Sequence, residues 1–207
     1  KAIVIGSGNS GHDIAQDLHS SGCKVTMVQR SSTLVVSIEP SAQLVYTPYN
    51  EGTLEDNDLI ATSMPLKLAR KSHALTCDKS RALDKELLAG LERVGFKLDF
   101  GEDNTGWQFK YLTRGGGYYF NVGCSDLLIK GEIGLKQFAD IDSFVAEGAV
   151  MKDGKTIAAD LIVLATGYQR QEELVRKLFG EAVEKRVGTI WGFGEEQELR
   201  NMYVRTG

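Results

Sequence analysis

A glycine-rich loop near the start of the chain limits the possible folds more than any other feature. The loop Gly6–Gly11 has glycine at its first, third and sixth positions and follows the apolar run Ala2–Ile5. Such a run is typical of a strand buried on both faces of a parallel sheet. From Ser10 to about Ser21 apolar residues recur at helical spacing, and Gly22 follows where a helix should end. A strand, a tight turn and a helix in this order predict a cradle for the pyrophosphate of a nucleotide.

Residues 24–29 form a second predicted strand, which completes a parallel, right-handed βαβ unit of about 30 residues. Within the loop, Gly6 permits the turn, Gly8 leaves space for the pyrophosphate, and Gly11 lets the helix pack closely on the strand. The Ser10 hydroxyl can donate a hydrogen bond to the same anion. The alternative, a glycine turn that serves packing alone, is disfavoured by the strand before it and the helix after it.

The end of the second strand indicates which nucleotide the cradle binds. NAD-specific sites place Asp or Glu there, and its carboxylate accepts a hydrogen bond from the ribose 2′-hydroxyl. This chain has Arg30, Ser31 and Ser32 instead. An arginine offers two parallel donors to a 2′-phosphate, and no carboxylate at these positions repels it. NADP(H) is therefore favoured over NAD(H); in the alternative, Arg30 is a solvated residue at a strand end.

The expected fold class is α/β: a Rossmann-like dinucleotide-binding domain with a parallel sheet, a β-hairpin near the C-terminal half and a helical insertion. The other elements are predicted from periodicity and turn residues. They are a long loop at 40–60, helices at 65–75 and 82–94, an irregular segment at 101–117, a strand at 118–122, a helix at 125–130, a strand at 133–136, a hairpin from 141 to 158 that turns at Asp153-Gly154, a buried apolar strand at 160–165 and a helix at 172–179. Leu83, Leu87, Leu88 and Leu91 are expected to form one core-facing stripe.

The composition limits the kinds of partner that the chain is expected to bind. A net charge of −4 argues against nucleic acid or an anionic membrane as the main partner and favours a small molecule. Cys23, Cys77 and Cys124 are widely spaced and include no CxxC pair, so we predict reduced thiols, no disulphide framework and no metal site. No apolar run reaches the roughly 18 residues of a membrane span, and a cytoplasmic location is expected. The oligomeric state is not indicated.

The three histidines of the sequence are not assigned to catalysis. His12 lies in the first turn of the cofactor helix, where a cation would oppose the helix dipole, so we expect a neutral, structural role. His19 and His73 have no recognisable carboxylate or nucleophile as a partner. Trp107, Tyr118 and Tyr119 could line a cleft, but packing is the more common role of such aromatic residues.

Four segments of the sequence together resemble the flavin-containing monooxygenases. They are Gly6–Ala15, Val28–Ser31, Gly115–Tyr119 and Leu164–Tyr168, and Asn201–Gly207 is similar to the family's next segment. The resemblance implies oxygenation of small organic substrates with O2, in which NADPH reduces a bound FAD and oxygen then forms a flavin hydroperoxide. The protein contributes positioning and the exclusion of water. The residues expected at the cofactor are Gly6, Ser7, Gly8, Asn9, Ser10, Gly11, Arg30, Ser31, Ser32 and, as a turn near the cofactor, Ala165, Thr166 and Gly167.

The departures from the family pattern concern FAD. The family's FAD-binding GxGxxG and its FxGxxxHxxx fingerprint precede this region, and neither occurs here. We therefore expect residues 1–168 to form an NADP(H)-binding domain with its helical insertion at about 48–100. Residues 169–207 are then an incomplete return segment toward an FAD domain outside this chain, and the fragment alone should be inactive. Arg114 is loosely similar to a functional arginine of Baeyer-Villiger relatives, but its spacing favours an ordinary loop arginine.

Two alternatives stay open at the level of sequence. A pyridine-nucleotide flavoprotein reductase shares the two-cofactor plan but requires a redox cysteine pair. A non-catalytic NADP-binding sensor would hold no FAD and consume no NADPH. The catalytic residues and the substrate are not identified.

Overall fold

The structure is a computed structural model, and it describes residues 1–200. The segment Asn201–Gly207, similar in sequence to the family's next segment, lies outside the described residues. The strands and helices, in chain order, are β1 (Ala2–Ile5), α1 (Asn9–Ser20), β2 (Val25–Gln29), β3 (Leu34–Ser37), α2 (Leu54–Ser63), α3 (Leu66–Leu83), α4 (Lys85–Arg93), α5 (Gly106–Arg114), β4 (Tyr118–Asn121), α6 (Cys124–Lys130), β5 (Gly134–Gln137), β6 (Ile141–Val145), β7 (Gly148–Met151), β8 (Thr156–Ala158), β9 (Leu161–Leu164), α7 (Gln171–Phe179) and α8 (Glu181–Val187).

A parallel sheet in the order β5-β2-β1-β9 forms the centre of the structure. Ile3 of β1 lies opposite Thr26 on β2 and opposite Ile162 on β9. The four side chains of β1 are no more than 4% exposed, because both faces of this central strand are covered. The predicted α/β fold class with a parallel sheet is confirmed.

The sheet is the middle of three layers. Helices α1, α4 and α6 pack on one face, and the antiparallel sheet β6-β7-β8 covers the other. The helical face buries apolar side chains from all of these elements, among them Val4, Ala15, Met27, Leu91 and Leu128. The opposite face packs Ile3, Ile5 and Val28 against Ile141, Ala149 and Met151. Apolar residues on both faces of β1 and β2 explain why these strands read as continuous apolar runs.

The predicted hairpin after residue 141 has one strand more than expected. Its first arm is two strands, β6 and β7, and Val150 therefore lies in β7. The turn at Asp153-Gly154 is confirmed: Gly154 has a φ of +81°, and the Lys155 N–H donates to Asp153 Oδ1 at 3.0 Å. Glu147 and Gly148 lie where the additional turn meets β7, and Gly148 has a φ of +141°.

Residues 40–117 are more helical than the sequence suggested. The expected loop at 40–60 contains a 3₁₀ segment, Ala42–Asn50, and most of α2. Thr53 caps α2 by accepting from the Asp56 N–H at 3.2 Å, a cap that was hidden among loop-forming residues. The expected irregular segment at 101–117 contains α5, which starts at Gly106 with a φ of +78° and has Gly115, with a φ of +66°, as its C-terminal cap. The glycines therefore bound a helix at this point.

Two expectations about apolar faces were partly wrong. Leu88 and Leu91 are buried, but Leu83 is 52% exposed because it ends α3 and lies outside α4. At the break between α3 and α4, the Asp84 carboxylate accepts from the backbone N–H and the hydroxyl of Ser37, at 2.9 and 2.6 Å. The apolar strand β9 is an edge strand, and its Leu164 is 71% exposed, so the expectation of a buried strand was wrong.

Within residues 1–200, no helix combines the length and the apolar character that crossing a membrane requires. The cytoplasmic location stays a prediction, as does the division into residues 1–168 and 169–207.

Candidate functional site

The glycine loop lies at the carboxyl ends of β1 and β9, where open α/β sheets bind their ligands. Gly6 has a φ of +128°, and a Cβ on it would overlap the carbonyl oxygen of Ala165. A Cβ on Gly11 would overlap the carbonyl oxygen of Gly6, so α1 packs directly against the turn. The Gly6 N–H donates to Val28 O at 2.9 Å, which fixes the turn on β2. Gly6 and Gly11 are thus required by backbone contact within the fold.

Gly8 is different, because its open side faces no packed element. Apart from its chain neighbours, the nearest atom to a Cβ on Gly8 would be the Tyr118 carbonyl oxygen at 4.0 Å. Gly8 is the N-cap of α1, and no side chain caps the helix there. The first N–H groups of α1 therefore have no side-chain acceptor, and the helix dipole adds partial positive charge. This arrangement fits a pyrophosphate, whose oxygens would occupy the space that a Cβ on Gly8 would fill.

The polar side chains of the loop divide into inward and outward groups. Ser7 is buried and its Oγ lies 2.7 Å from Thr33 Oγ1. Asn9 Oδ1 accepts from the Phe120 N–H at 3.1 Å. Both side chains therefore hold the loop in place through these contacts. Ser10 is exposed, and its hydroxyl is free to face solvent or a ligand.

His12 lies directly beneath the loop. Its ring is fully buried and stacks on Tyr119, with 3.7 Å between ring centroids. Its Nδ1 lies 3.1 Å from Gly8 O; a carbonyl can only accept, so Nδ1 carries the proton. Burial lowers the pKa of His12 to about 4. The ring is therefore neutral at physiological pH, as expected for a structural residue.

The segment from Gln29 to Thr33, at the end of β2, is hydrogen-bonded to the protein at both of its ends, and the residues in its middle are exposed. Gln29 is buried and exchanges two hydrogen bonds with the backbone of Lys97: Gln29 Nε2 donates to Lys97 O at 2.9 Å, and the Lys97 N–H donates to Gln29 Oε1 at 2.8 Å. The Thr33 N–H donates to the same Lys97 carbonyl at 3.0 Å. Arg30 and Ser31 lie between these fixed residues and are exposed. The predicted 2′-phosphate residues are thus presented to solvent on a rigid support.

Ser32 is the exception in this segment, because its side chain contacts protein. Its hydroxyl lies close enough to the Asp99 carboxylate to help lower the pKa of that group. The carboxylate also pairs with Lys110 Nζ and accepts from the Gly101 N–H at 3.0 Å. Burial by itself would raise the pKa of Asp99. The hydrogen bonds that Asp99 accepts and the charge of Lys110 lower it by a larger amount, so the net pKa lies below its usual value. A carboxylate therefore does lie beside the strand end, and it is neutralised by a buried lysine.

The Asp99–Lys110 pair yields a prediction for stability. Lys110→Met should lower the free energy of unfolding by about 2 kcal/mol, because the Asp99 side chain is only 27% exposed and would lose its counter-charge. Asp99→Asn combined with Lys110→Met should recover most of that loss in urea unfolding. Lys155→Met, at the exposed pair with Asp153, is the matched control and should leave the unfolding midpoint unchanged. Equal stabilities of Lys110→Met and the double variant would contradict the prediction.

The turn after β9 reaches the loop through its first residue. The Ala165 N–H donates to Ile5 O at 2.8 Å, and its carbonyl faces Gly6. Thr166 and Gly167 are exposed, and Gly167 has a φ of +82°. The structure therefore brings Ala165 to the cradle, whereas Thr166 and Gly167 extend into solvent beyond it.

The remaining candidates lie around the site or away from it. The Arg114 side chain folds back over its own turn, and its Nε donates to Gly116 O at 3.3 Å. Trp107 packs against Phe120 and Tyr118, and His73 packs on Phe109. His19 lies 3.5 Å from Glu132 on the outer side of α1. Packing accounts for the aromatic residues, as expected.

The three thiols, all within the described part of the chain, do not form a disulphide. Burial raises the pKa of Cys77 to about 11 and that of Cys124 to about 12. Neither is poised as a nucleophile, because the thiolate is disfavoured in both places.

Sequence reasoning missed the residues that support the site. Gln29, Thr33, Asp99 and Lys110 fix the strand end. Gln29 was taken as an ordinary strand residue, Thr33 and Asp99 lie between predicted elements, and Lys110 lies in a segment expected to be irregular. The one available signal was the polar Gln29 at the end of an otherwise apolar strand.

A family model and two solved structures show which broad class of proteins this chain is similar to. Residues 1–48 match the family model described as pyridine nucleotide-disulphide oxidoreductase, and this range includes the cradle and the end of β2. The fold is similar to that of an open crystal structure of cyclohexanone monooxygenase, with a TM-score of 0.53 and 14% identity over 86% of this chain and 42% of that one. A cyclohexanone monooxygenase mutant from Rhodococcus sp. Phi1, solved with NADP+ bound, gives a TM-score of 0.52 and 13% identity over 85% of this chain and 40% of that one. At these identities the likeness concerns the fold.

Two relatives that are similar in sequence indicate a narrower class of enzyme. The chain is 28% identical over 177 residues to the probable FAD-binding monooxygenase AlmA of Acinetobacter baylyi, covering 83% of this chain and 34% of that protein. It is 26% identical over 169 residues to the probable indole-3-pyruvate monooxygenase YUCCA7 of Arabidopsis thaliana, covering 82% of this chain and 34% of that protein. The expected resemblance to flavin-dependent monooxygenases is confirmed. The chain spans about a third of the length of these relatives.

Proposed function

We propose that this chain is the NADPH-binding part of a flavin-dependent monooxygenase that oxygenates small organic substrates with O2. The observation that supports it most is the cradle: an open Gly8 face and uncapped N–H groups of α1, next to the exposed Arg30 at the end of β2. The relatives support the class of reaction, since they are named as monooxygenases. An FAD site lies mostly outside this chain in this proposal, and residues 1–168 are the nucleotide-binding domain.

Each group of residues has a distinct task. The N–H groups at the start of α1, with the Ser10 hydroxyl, bind the pyrophosphate, and Gly8 allows its close approach. Arg30 and Ser31 bind the 2′-phosphate, and Ala165 closes the cradle on the β9 side. The chemistry supplied by the bound nucleotide is hydride donation to FAD. The chain's own contribution is binding and orientation.

Arg30→Ala tests the choice of nucleotide. Loss of the guanidinium should weaken NADPH binding about tenfold or more, as expected for a charge-assisted pair with phosphate, and should leave NADH binding within about twofold. Isothermal titration of the chain with each nucleotide measures both constants. Arg93→Ala, an exposed arginine on α4, is the matched control and should change neither. Equal losses for NADPH and NADH would count against a role at the 2′-phosphate.

The match to the oxidoreductase family model favours one competing function, a flavoprotein reductase that uses the same nucleotide fold. Such an enzyme reduces a substrate through a pair of reactive thiols. The thiols of this chain are unpaired and two of them have raised pKa values, which weighs against their serving as that pair. The longer protein with FAD bound distinguishes the two functions: a monooxygenase consumes O2 with NADPH, and a reductase oxidises NADPH only when a disulphide substrate is added.

A further inference from the structure

A buried pair of hydroxyl groups joins two parts of the site that are distant in sequence. Ser7 Oγ and Thr33 Oγ1 lie 2.7 Å apart, and the residues are 7% and 3% exposed. Ser7 belongs to the cradle. Thr33 directly follows Arg30–Ser32, the strand-end segment. The contact therefore links the place proposed for the pyrophosphate with the place proposed for the 2′-phosphate.

Thr33 is fixed by more than this one contact. Its N–H donates to Lys97 O at 3.0 Å, and its carbonyl accepts from the Asp99 N–H at 3.4 Å. Its side chain is then the only part of the residue that turns toward the cradle, and the hydroxyl meets Ser7 there. On the other side of the strand-end segment, Gln29 is held by Lys97 and by Gln137 Nε2 at 3.1 Å. The segment is therefore a short arch with both ends fixed.

We propose that the Ser7–Thr33 hydroxyl pair sets the position of the strand-end segment relative to the cradle, so that one nucleotide meets both of its phosphate sites at once. Thr33 is in this view a positioning residue that determines the preference for NADPH without contacting the nucleotide. The inference rests on the proposed function and specifies how its selectivity arises.

The physical reason lies in the rigidity of the ligand and of the contact. A dinucleotide holds its 2′-phosphate at a limited range of distances from its pyrophosphate, so the gain from the second site depends on correct spacing. A hydrogen bond between two buried hydroxyls fixes the spacing better than apolar packing does, because its strength falls steeply with length and angle. Without it, both sites persist, but the direct contact that sets their spacing is lost.

The decisive variant removes both hydroxyls together. Thr33→Val alone would leave the Ser7 hydroxyl buried without its partner and would test stability more than selectivity. Ser7→Ala combined with Thr33→Val leaves no such group and should keep an unfolding midpoint close to that of the parent chain. Isothermal titration with NADPH and NADH should show that the affinity ratio of the two nucleotides falls at least fivefold in this double variant, mainly through weaker NADPH binding.

Two further variants separate positioning from general stability. Thr33→Ser retains the hydroxyl and should keep the parent ratio within twofold. Thr105→Val removes another buried threonine hydroxyl, which donates to Glu102 O at 2.6 Å, and should lower stability without changing the ratio. A double variant that is folded and retains the parent ratio would overturn this inference alone. A parent chain that binds neither nucleotide, or both equally, would overturn the proposed function and this inference with it.

Discussion

Gly8→Ala should fold as the parent chain does and should lose at least about tenfold in NADPH affinity. Apart from its chain neighbours, the added methyl group meets no protein atom closer than the Tyr118 carbonyl oxygen at 4.0 Å, and the φ of −84° at Gly8 is allowed for alanine. The methyl group would instead occupy the space proposed for the pyrophosphate. NADPH and NADH should be weakened by similar factors, because both carry this group. Isothermal titration and guanidinium unfolding measure the two properties separately.

Gly11→Ala, three residues further on, is the structural counterpart. Its Cβ would overlap the backbone carbonyl of Gly6, and α1 would have to move away from the turn. Overpacking of this kind costs about 1–3 kcal/mol or more, so the unfolding midpoint should fall clearly. Normal NADPH binding by Gly8→Ala would remove the main support for the cradle. Equal stabilities of Gly8→Ala and Gly11→Ala would contradict the different roles that the contacts assign to the two glycines.

The first strand, the loop, α1 and β2 could be predicted from sequence because their signals are local. Apolar runs, glycine positions and helical spacing occur within about 30 neighbouring residues there. Strand β3 was not predicted, since it pairs with β4, and Leu34 lies opposite Tyr118 far along the chain. The helix α5 lies in the segment 101–117, which was expected to be irregular, although Gly106 and Gly115 mark the two ends of a helix.

The candidate site shows the same division. Gly6, Gly11 and Ala165 meet as backbone contacts, and the role of the named residues at a nucleotide stays a prediction. The inward turn of the Ser7 and Asn9 side chains depends on Thr33 and Phe120, and neither partner is marked in the sequence. The neutralised Asp99 is a further example, because its neighbour Ser32 was known while Asp99 itself is brought there by the insertion.

His12 should make the stability of the chain depend strongly on pH below neutrality. Its pKa is lowered from 6.5 to about 4 by burial, so the folded state holds the ring neutral where the unfolded state binds a proton. The contribution is complete above about pH 6.5 and is lost progressively as the pH falls toward 4, and the total loss is about 3 kcal/mol. Urea unfolding between pH 4 and pH 7 measures this loss.

His12→Phe should flatten that dependence while keeping the ring stack on Tyr119. His73, whose pKa burial also lowers, and the carboxylates titrate in both proteins, so the difference between the two curves isolates His12. Two curves of equal slope would show that His12 is not the group responsible.

The expected difference in pH dependence has its origin in the surroundings of the His12 ring. The Nδ1 proton is already committed to Gly8 O, and the Nε2 atom is buried with no hydrogen-bond partner among the described residues. A second proton would therefore place an unpaired positive charge between the rings of Tyr119 and Phe96, directly beneath the cradle.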